Sequence, residues 1–193
     1  MHETLTIPIQ LSCYEQLVTF TKEFTNEQTD RNVHLSFVLD PPIAELINQD
    51  LQRYDLPNAT CFIIVKRCNL WDSSETATHI DCFTQDPSIT HRVSIIVPIE
   101  NCDKSPMFWY DGDYTVDLVE TKTGETYPFI KWNDKPSFFH QELITCPTAC
   151  NIDMPHSALS PEDGSYRTVL TFRLEGNPSF EEVCQKILTA QNS

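Results

Sequence analysis

In two stretches of the sequence the side chains of one face type recur at every second residue, and this alternation restricts the fold more than any other feature. In residues 92–99 every second residue is a branched aliphatic one, namely Val93, Ile95, Val97 and Ile99. Residues 167–174 repeat the pattern with Thr168, Leu170, Phe172 and Leu174. A period of two residues is that of a β-strand with one face against a core. We therefore predict a sheet whose two faces differ chemically.

Further short strands are indicated between these two runs and before them. We predict them at 61–65, 107–110, 114–120, 127–131 and 143–146. Turn signals separate several of them, with Asp111-Gly112-Asp113 and Lys122-Thr123-Gly124 as the clearest. Many short strands joined by turns are typical of an antiparallel barrel or sandwich.

Helical patterns flank these strands at both ends of the chain. A capping box begins at Ser12, and Asp40 followed by Pro41 suits the start of a second helix. Ser179 and Glu182 form another capping box before a final helix.

These patterns define the organisation of the chain. We predict one domain over residues 1–193, of α+β class and mainly β. Residues 1–58 are expected to be mostly helical, residues 59–175 to form the β body, and residues 178–191 to form the C-terminal helix.

Composition restricts the partners and the compartment. The chain has 13 Lys and Arg against 28 Asp and Glu, a net charge of −15, which opposes binding to nucleic acid or to an anionic membrane. No apolar leader or run of bilayer length is present, so a cytoplasmic protein is expected. The eight cysteines include no CxxC pair and favour reduced thiols. A disulfide framework, or a thiolate metal site at Cys146 and Cys150, remains open.

The segment Thr78-His79-Ile80-Asp81 carries the strongest chemical signal. On a strand, residues two apart share a face, so the His79 imidazole and the Asp81 carboxylate should lie together. His156 stands where a later strand could begin. Two histidines and one carboxylate form the open-sided ligand set of non-haem Fe(II) oxygenases. We therefore predict a metal site at His79, Asp81 and His156.

An arginine follows this set at a short interval. Arg167 lies eleven residues after His156, on the face of its strand opposite the apolar one. A buried guanidinium is costly unless it meets an anion, and its planar fork matches a carboxylate. The cavity is therefore expected to hold an acid. Arg173 shares this strand face but lies near the strand end, where we expect it to be solvated.

The combined pattern resembles that of the Fe(II)/2-oxoglutarate-dependent oxygenase superfamily over about residues 61–174. The resemblance implies a double-stranded β-helix, a jelly-roll or cupin-like barrel, with the N-terminal helices packed on one sheet. It implies that His79, Asp81 and His156 bind Fe(II) and that Arg167 binds the distal carboxylate of 2-oxoglutarate. With O2, such enzymes yield succinate and CO2 and usually hydroxylate a substrate, here a small molecule or a protein side chain.

One position departs from the superfamily pattern. Many members have Ser or Thr two residues after the anchoring arginine, where this chain has Val169. A hydroxyl partner for the distal carboxylate could instead come from Tyr110, Tyr166 or Thr171.

The neighbourhood of the second alternating strand adds one further candidate. Arg92 could enter the same cavity and contact 2-oxoglutarate or the substrate, or could pair with a surface carboxylate. By alternation, the neighbouring His91 should face the opposite way.

Two other functions fit the same residues. One is a cupin-like metal-dependent enzyme that does not use O2, and the other is a non-catalytic barrel that binds a ligand.

Overall fold

The computed structural model describes residues 4–26, 33–38, 41–67, 78–81, 90–120, 126–159 and 161–192. The N-terminal elements are β1 (Thr6–Pro8), α1 (Tyr14–Asn26), β2 (Val33–Val38) and α2 (Pro41–Gln52). The strands that follow are β3 (Ala59–Arg67), β4 (Val93–Glu100), β5 (Met107–Asp111), β6 (Tyr114–Glu120), β7 (Thr126–Trp132), β8 (Ser137–Glu142), β9 (Thr148–Asn151), β10 (His156–Ala158) and β11 (Arg167–Leu174). A short 3-10 helix (Cys102–Lys104) follows β4, and α3 (Phe180–Gln191) follows β11.

The strands form antiparallel sheets. Six strands pair in the order β1-β9-β4-β11-β3-β2, three in the order β10-β5-β8, and β6 pairs with β7. The chain is therefore mainly β with helices, which confirms the predicted class. No helix within the described ranges is both long and apolar enough to cross a bilayer.

The two faces of the six-stranded sheet bury different residues. Leu170 and Phe172 of β11 pack with the three helices, in a cluster that includes Leu17, Ile47 and Val183. Val169, which precedes Leu170 in sequence, packs on the other side against Trp109 of β5. The three-stranded sheet therefore covers the face that the helices leave. We call the alternate residues of β11 on this second face, Arg167, Val169, Thr171 and Arg173, the inner row.

Several predicted elements are confirmed. The strand predicted at 114–120 has the bounds of β6, and β11 spans 167–174. At α3 the predicted capping box is present, since the Ser179 hydroxyl accepts from the Glu182 N–H and the Glu182 carboxylate accepts from the Ser179 N–H.

The prediction of a strand at 143–146 is wrong. The chain there runs between β8 and β9 without strand pairing. Ile144 is buried in the cluster around Trp109, whereas Leu143 is half exposed. A short apolar run predicts burial but not backbone conformation, and here the burial belongs to a loop.

The N-terminal part contains two strands besides its helices, so it is less helical than predicted. β1 is three residues long and pairs with β9, and β2 pairs with β3. β1 is too short to show a period in the sequence, whereas β2 does alternate, with Val33, Leu35 and Phe37 separated by His34 and Ser36. The second helix begins at Pro41, as predicted, while Asp40 lies outside the described residues.

A buried carboxylate joins the start of α1 to the end of α2. Asp50 accepts hydrogen bonds from the Ser12 hydroxyl at 2.6 Å, the Cys13 N–H at 2.9 Å and the Arg53 guanidinium at 3.1 Å. The predicted cap residue Ser12 therefore uses its hydroxyl to bind Asp50. Burial by itself raises the pKa of the Asp50 carboxyl. The hydrogen bonds lower that pKa by more than burial raises it, so it lies below its usual range.

We expect Asp50→Ala to lower the free energy of unfolding by about 1–3 kcal/mol, because it leaves buried donors without an acceptor. Since the native pKa of Asp50 is depressed, the carboxylate contributes its full stabilisation at pH values above the ordinary carboxyl pKa of about 4. That contribution is lost as the pH falls through the native pKa. Urea unfolding of wild type and variant should show a constant gap near neutral pH that shrinks below about pH 4. A gap that widens in acid would contradict this role.

Candidate metal centre

The structure brings together three of the predicted site residues. His79, Asp81 and His156 each offer one ligand atom, and these atoms lie within 4.8 Å of one another. The His79 Nε2 atom is 3.7 Å from Asp81 Oδ1, and the two imidazole centroids are 4.6 Å apart. The predicted ligand set is therefore a spatial cluster.

Main-chain pairing places the two imidazoles opposite each other. His79 and His156 form an antiparallel bridge, in which each N–H donates to the other's carbonyl at 2.9 and 3.0 Å. Directly opposed residues of antiparallel chains project side chains from the same face. On its other side, His156 pairs with Trp109 of β5, and Thr78 accepts from the Ile130 N–H of β7 at 3.3 Å. The short segment 78–80 thus lies between β10 and β7.

The protonation of His156 suits a metal ligand. Its Nδ1 atom lies 2.9 Å from the Met154 carbonyl oxygen, which can only accept, so Nδ1 carries the proton and Nε2 keeps its lone pair. Burial lowers the pKa of His156, which favours the neutral ring that binds metal.

Asp81 is held as a carboxylate. Burial by itself raises the pKa of Asp81, but the Arg173 guanidinium, followed by the two imidazoles, holds it well below its usual range. The Arg173 Nη2 atom donates to Asp81 Oδ2 at 2.5 Å, and Nη1 donates to the Ser94 hydroxyl. This leaves Oδ1 on the side of His79.

The expectation that Arg173 is solvated was wrong. Its side chain is about 6% exposed, because the end of β11 lies beneath the segment that carries Asp81. Its position on the same strand face as Arg167 was the available signal. Charge-bearing residues that share an inward face should be considered together even at a strand end.

Arg167 is buried at the opposite end of the inner row from the triad. Six residues at about 3.3 Å each place its Cα roughly 20 Å from that of Arg173. Burial raises the pKa of the Cys102 and Cys150 thiols, and the positive charge of Arg167 offsets only part of that rise. The structure therefore places Arg167 in the interior, as predicted, but it is Arg173 that contacts the triad.

Of the three predicted hydroxyl candidates, only Thr171 lies on the inner row. Its side-chain oxygen is buried and has no hydrogen-bond partner among the described residues. Tyr110 packs instead among aromatic rings, with Trp132 and Phe138 as neighbours. Tyr166 precedes β11, and its carbonyl accepts from Asn101.

The structure does not bring Arg92 to the triad. Arg92 precedes β4, and its side chain is exposed and makes no hydrogen bond or ion pair within the described ranges. Its role as a ligand of 2-oxoglutarate stays a prediction.

His91 lies before β4, so the alternation of that strand does not by itself fix its side chain, and its orientation opposite to Arg92 stays a prediction. The His91 N–H donates to the Asp81 carbonyl at 2.8 Å. Burial, followed by the charge of Arg173, lowers the pKa of His91 to about 4, so the ring is neutral.

Comparisons with known proteins add no family. No protein-family model matches the chain, and no curated protein matches it. Among solved structures, the chain is similar to AviO1 from Streptomyces viridochromogenes Tue57, with a TM-score of 0.43 and 13% identity over 90% of this chain and 91% of that chain.

The donor set fits a divalent transition metal. Two imidazoles and one ionised carboxylate lie within 4.8 Å of one another, and a set of two histidines and one carboxylate leaves other coordination positions for non-protein ligands. His79, Asp81 and His156 would hold the ion.

Proposed function

We propose that this protein is a non-haem Fe(II)- and 2-oxoglutarate-dependent dioxygenase, with the strands arranged as a double-stranded β-helix. The observation that carries the proposal is the convergence of His79, Asp81 and His156 beside a sheet face that bears buried arginines. We further propose that the enzyme hydroxylates a small molecule or a protein side chain and releases succinate and CO2.

The inner row supports an anionic co-substrate. Arg167 and Arg173 are both buried on it, and Thr171 between them offers a hydroxyl without a partner in the described part of the chain. Because Arg173 is already paired with Asp81, the buried guanidinium of Arg167 and the unpartnered Thr171 hydroxyl are the groups that favour a ligand with an acidic group. We propose that Arg167 and Thr171 bind the distal carboxylate, which gives Thr171 the role that Val169 cannot fill.

The residues around the triad would orient the ion and exclude water. When bound, Fe(II) supplies the site at which O2 and 2-oxoglutarate react. Arg173 directs one carboxylate oxygen of Asp81 away from the ion, and the Met154 carbonyl fixes the tautomer of His156. Trp109, which pairs directly with His156 across β5 and β10, is fully buried and would help to keep water from this side of the site.

An anaerobic titration tests the proposal. With one equivalent of Fe(II), added 2-oxoglutarate should produce the visible charge-transfer band of the chelate, and His79→Ala should abolish that band. Folded wild-type protein without the band would overturn the proposal. Metal binding with turnover in the absence of O2 would indicate a cupin-like enzyme. Metal and 2-oxoglutarate binding without decarboxylation on any substrate would indicate a binding protein.

A further inference from the structure

We propose that Asn177 is a positioning residue that fixes the main chain of Asp81 through residues 90–92. This inference rests on the proposed function, because it concerns the metal ligand Asp81. It extends that function to a residue in the loop after β11, which contacts neither the metal ligands nor the inner row.

The side-chain amide of Asn177 clamps the segment on both sides of His91. Its Nδ2 donates to the Thr90 carbonyl at 2.9 Å, and its Oδ1 accepts from the Arg92 N–H at 3.0 Å. One amide therefore pairs main-chain groups on both residues that flank His91.

The clamped segment in turn holds Asp81. The His91 N–H donates to the Asp81 carbonyl at 2.8 Å. Two further bonds fix the same segment from the loop after β9, since the Arg92 carbonyl accepts from the Ile152 N–H at 3.0 Å and the Thr90 hydroxyl donates to Asp153. A shift of residues 90–92 would therefore move the main chain of a metal ligand.

The backbone of Asn177 adopts the conformation that this contact requires. Its φ is +49°, in the left-handed region that favours Gly and tolerates Asn better than most other residues. It lies four residues beyond Arg173, so residues at and just after the end of β11 hold both the side chain and the main chain of Asp81. Arg173 binds the carboxylate, and Asn177 holds the main chain through His91.

The test compares two left-handed asparagines. Asn177→Gly removes the clamp but keeps a residue that accepts positive φ. Asn101→Gly is the matched control, because Asn101 has a φ of +52° and donates from Nδ2 to the Tyr166 carbonyl at 2.6 Å. Asn101 follows the C-terminal end of β4, whereas residues 90–92 precede its N-terminal end. For each variant without iron, the dissociation constant for Co(II) is measured by visible absorption, and the apo protein's unfolding midpoint is measured in urea.

We expect Asn177→Gly to weaken Co(II) binding by about 10-fold or more, the usual effect of losing a residue that orients a metal ligand. Asn101→Gly should leave the affinity unchanged even if it lowers stability. Equal Co(II) affinity in the wild type and Asn177→Gly would overturn the inference, as would equal weakening in both glycine variants.

A second variant covers the case in which Asn177→Gly fails to fold. Asn177→Asp keeps the acceptor for the Arg92 N–H but loses the donor to Thr90, and it should also weaken Co(II) binding; unchanged affinity would contradict the inference. Wild-type protein that binds no Co(II), or a Co(II) site unaffected by His79→Ala, would refute the proposed metal centre and this inference with it. A site lost in His79→Ala but intact in both Asn177 variants would refute only this inference.

Discussion

Replacing Asp81 with alanine should abolish substrate-dependent succinate formation and also cost about 3–5 kcal/mol of unfolding free energy. The first effect follows from the loss of one of three ligands. The second follows because Arg173 is buried and would lose its carboxylate partner. Metal content, succinate formation and urea unfolding of the metal-free protein measure the two effects separately.

Two variants distinguish these contributions. His79→Ala should lose metal and turnover but keep nearly normal apo stability, because it leaves the bond between Asp81 and Arg173 in place. Combining Asp81→Ala with Arg173→Met should recover much of the lost stability, since no unpaired charge then remains buried. An Asp81→Ala apoprotein as stable as His79→Ala, or full turnover in the His79 variant, would contradict this account.

Arg167→Met should raise the KM for 2-oxoglutarate by about 30-fold or more. Truncating a buried charged partner costs about 2–5 kcal/mol, and each 1.4 kcal/mol is about tenfold in affinity. Methionine keeps an apolar stem of similar reach, so packing is disturbed little. Affinity for the metal should change much less, because Arg167 is at the far end of the inner row. Steady-state kinetics over a range of 2-oxoglutarate concentrations, with Fe(II) saturating, measure the effect.

Two comparisons make this result specific. Thr171→Val should raise the same KM by a smaller factor, about tenfold, as expected for one hydrogen bond to a charged group. Arg53→Met, at an exposed arginine at the end of α2, should leave the KM unchanged. An unchanged KM in Arg167→Met together with a raised KM in Arg173→Met would move the anchor to the triad end of β11.

Local patterns in the sequence were sufficient to predict the strands that matter most. In β4 and β11 the alternation extends over eight residues, so the face of each side chain follows from its position. The capping box at Ser179 is a motif of four consecutive residues and needs no tertiary information. His79 and Asp81 are two residues apart in sequence, which makes their proximity equally local.

The rest depends on pairing between distant segments. The bridge between His79 and His156 joins residues 77 positions apart, and Asn177 reaches Thr90 across 87 positions. No sequence period encodes such contacts. Arg173 was misjudged for the same reason, because its burial is created by the segment of Asp81 lying over the strand end. The burial of Ile144 in a loop is likewise a tertiary effect.

The strict alternation of β11 also protects the chemistry of the interior during folding. A shift of its pairing with β3 and β4 by one residue would place Arg167 and Arg173 on the sheet face that packs against the helices. The same shift would send Leu170 and Phe172 into the interior beside the triad. Two buried charges without partners would then oppose the misfolded arrangement. The packing of Leu170 and Phe172 against the helices and the burial of both arginines on the other face therefore depend on the same register of β11.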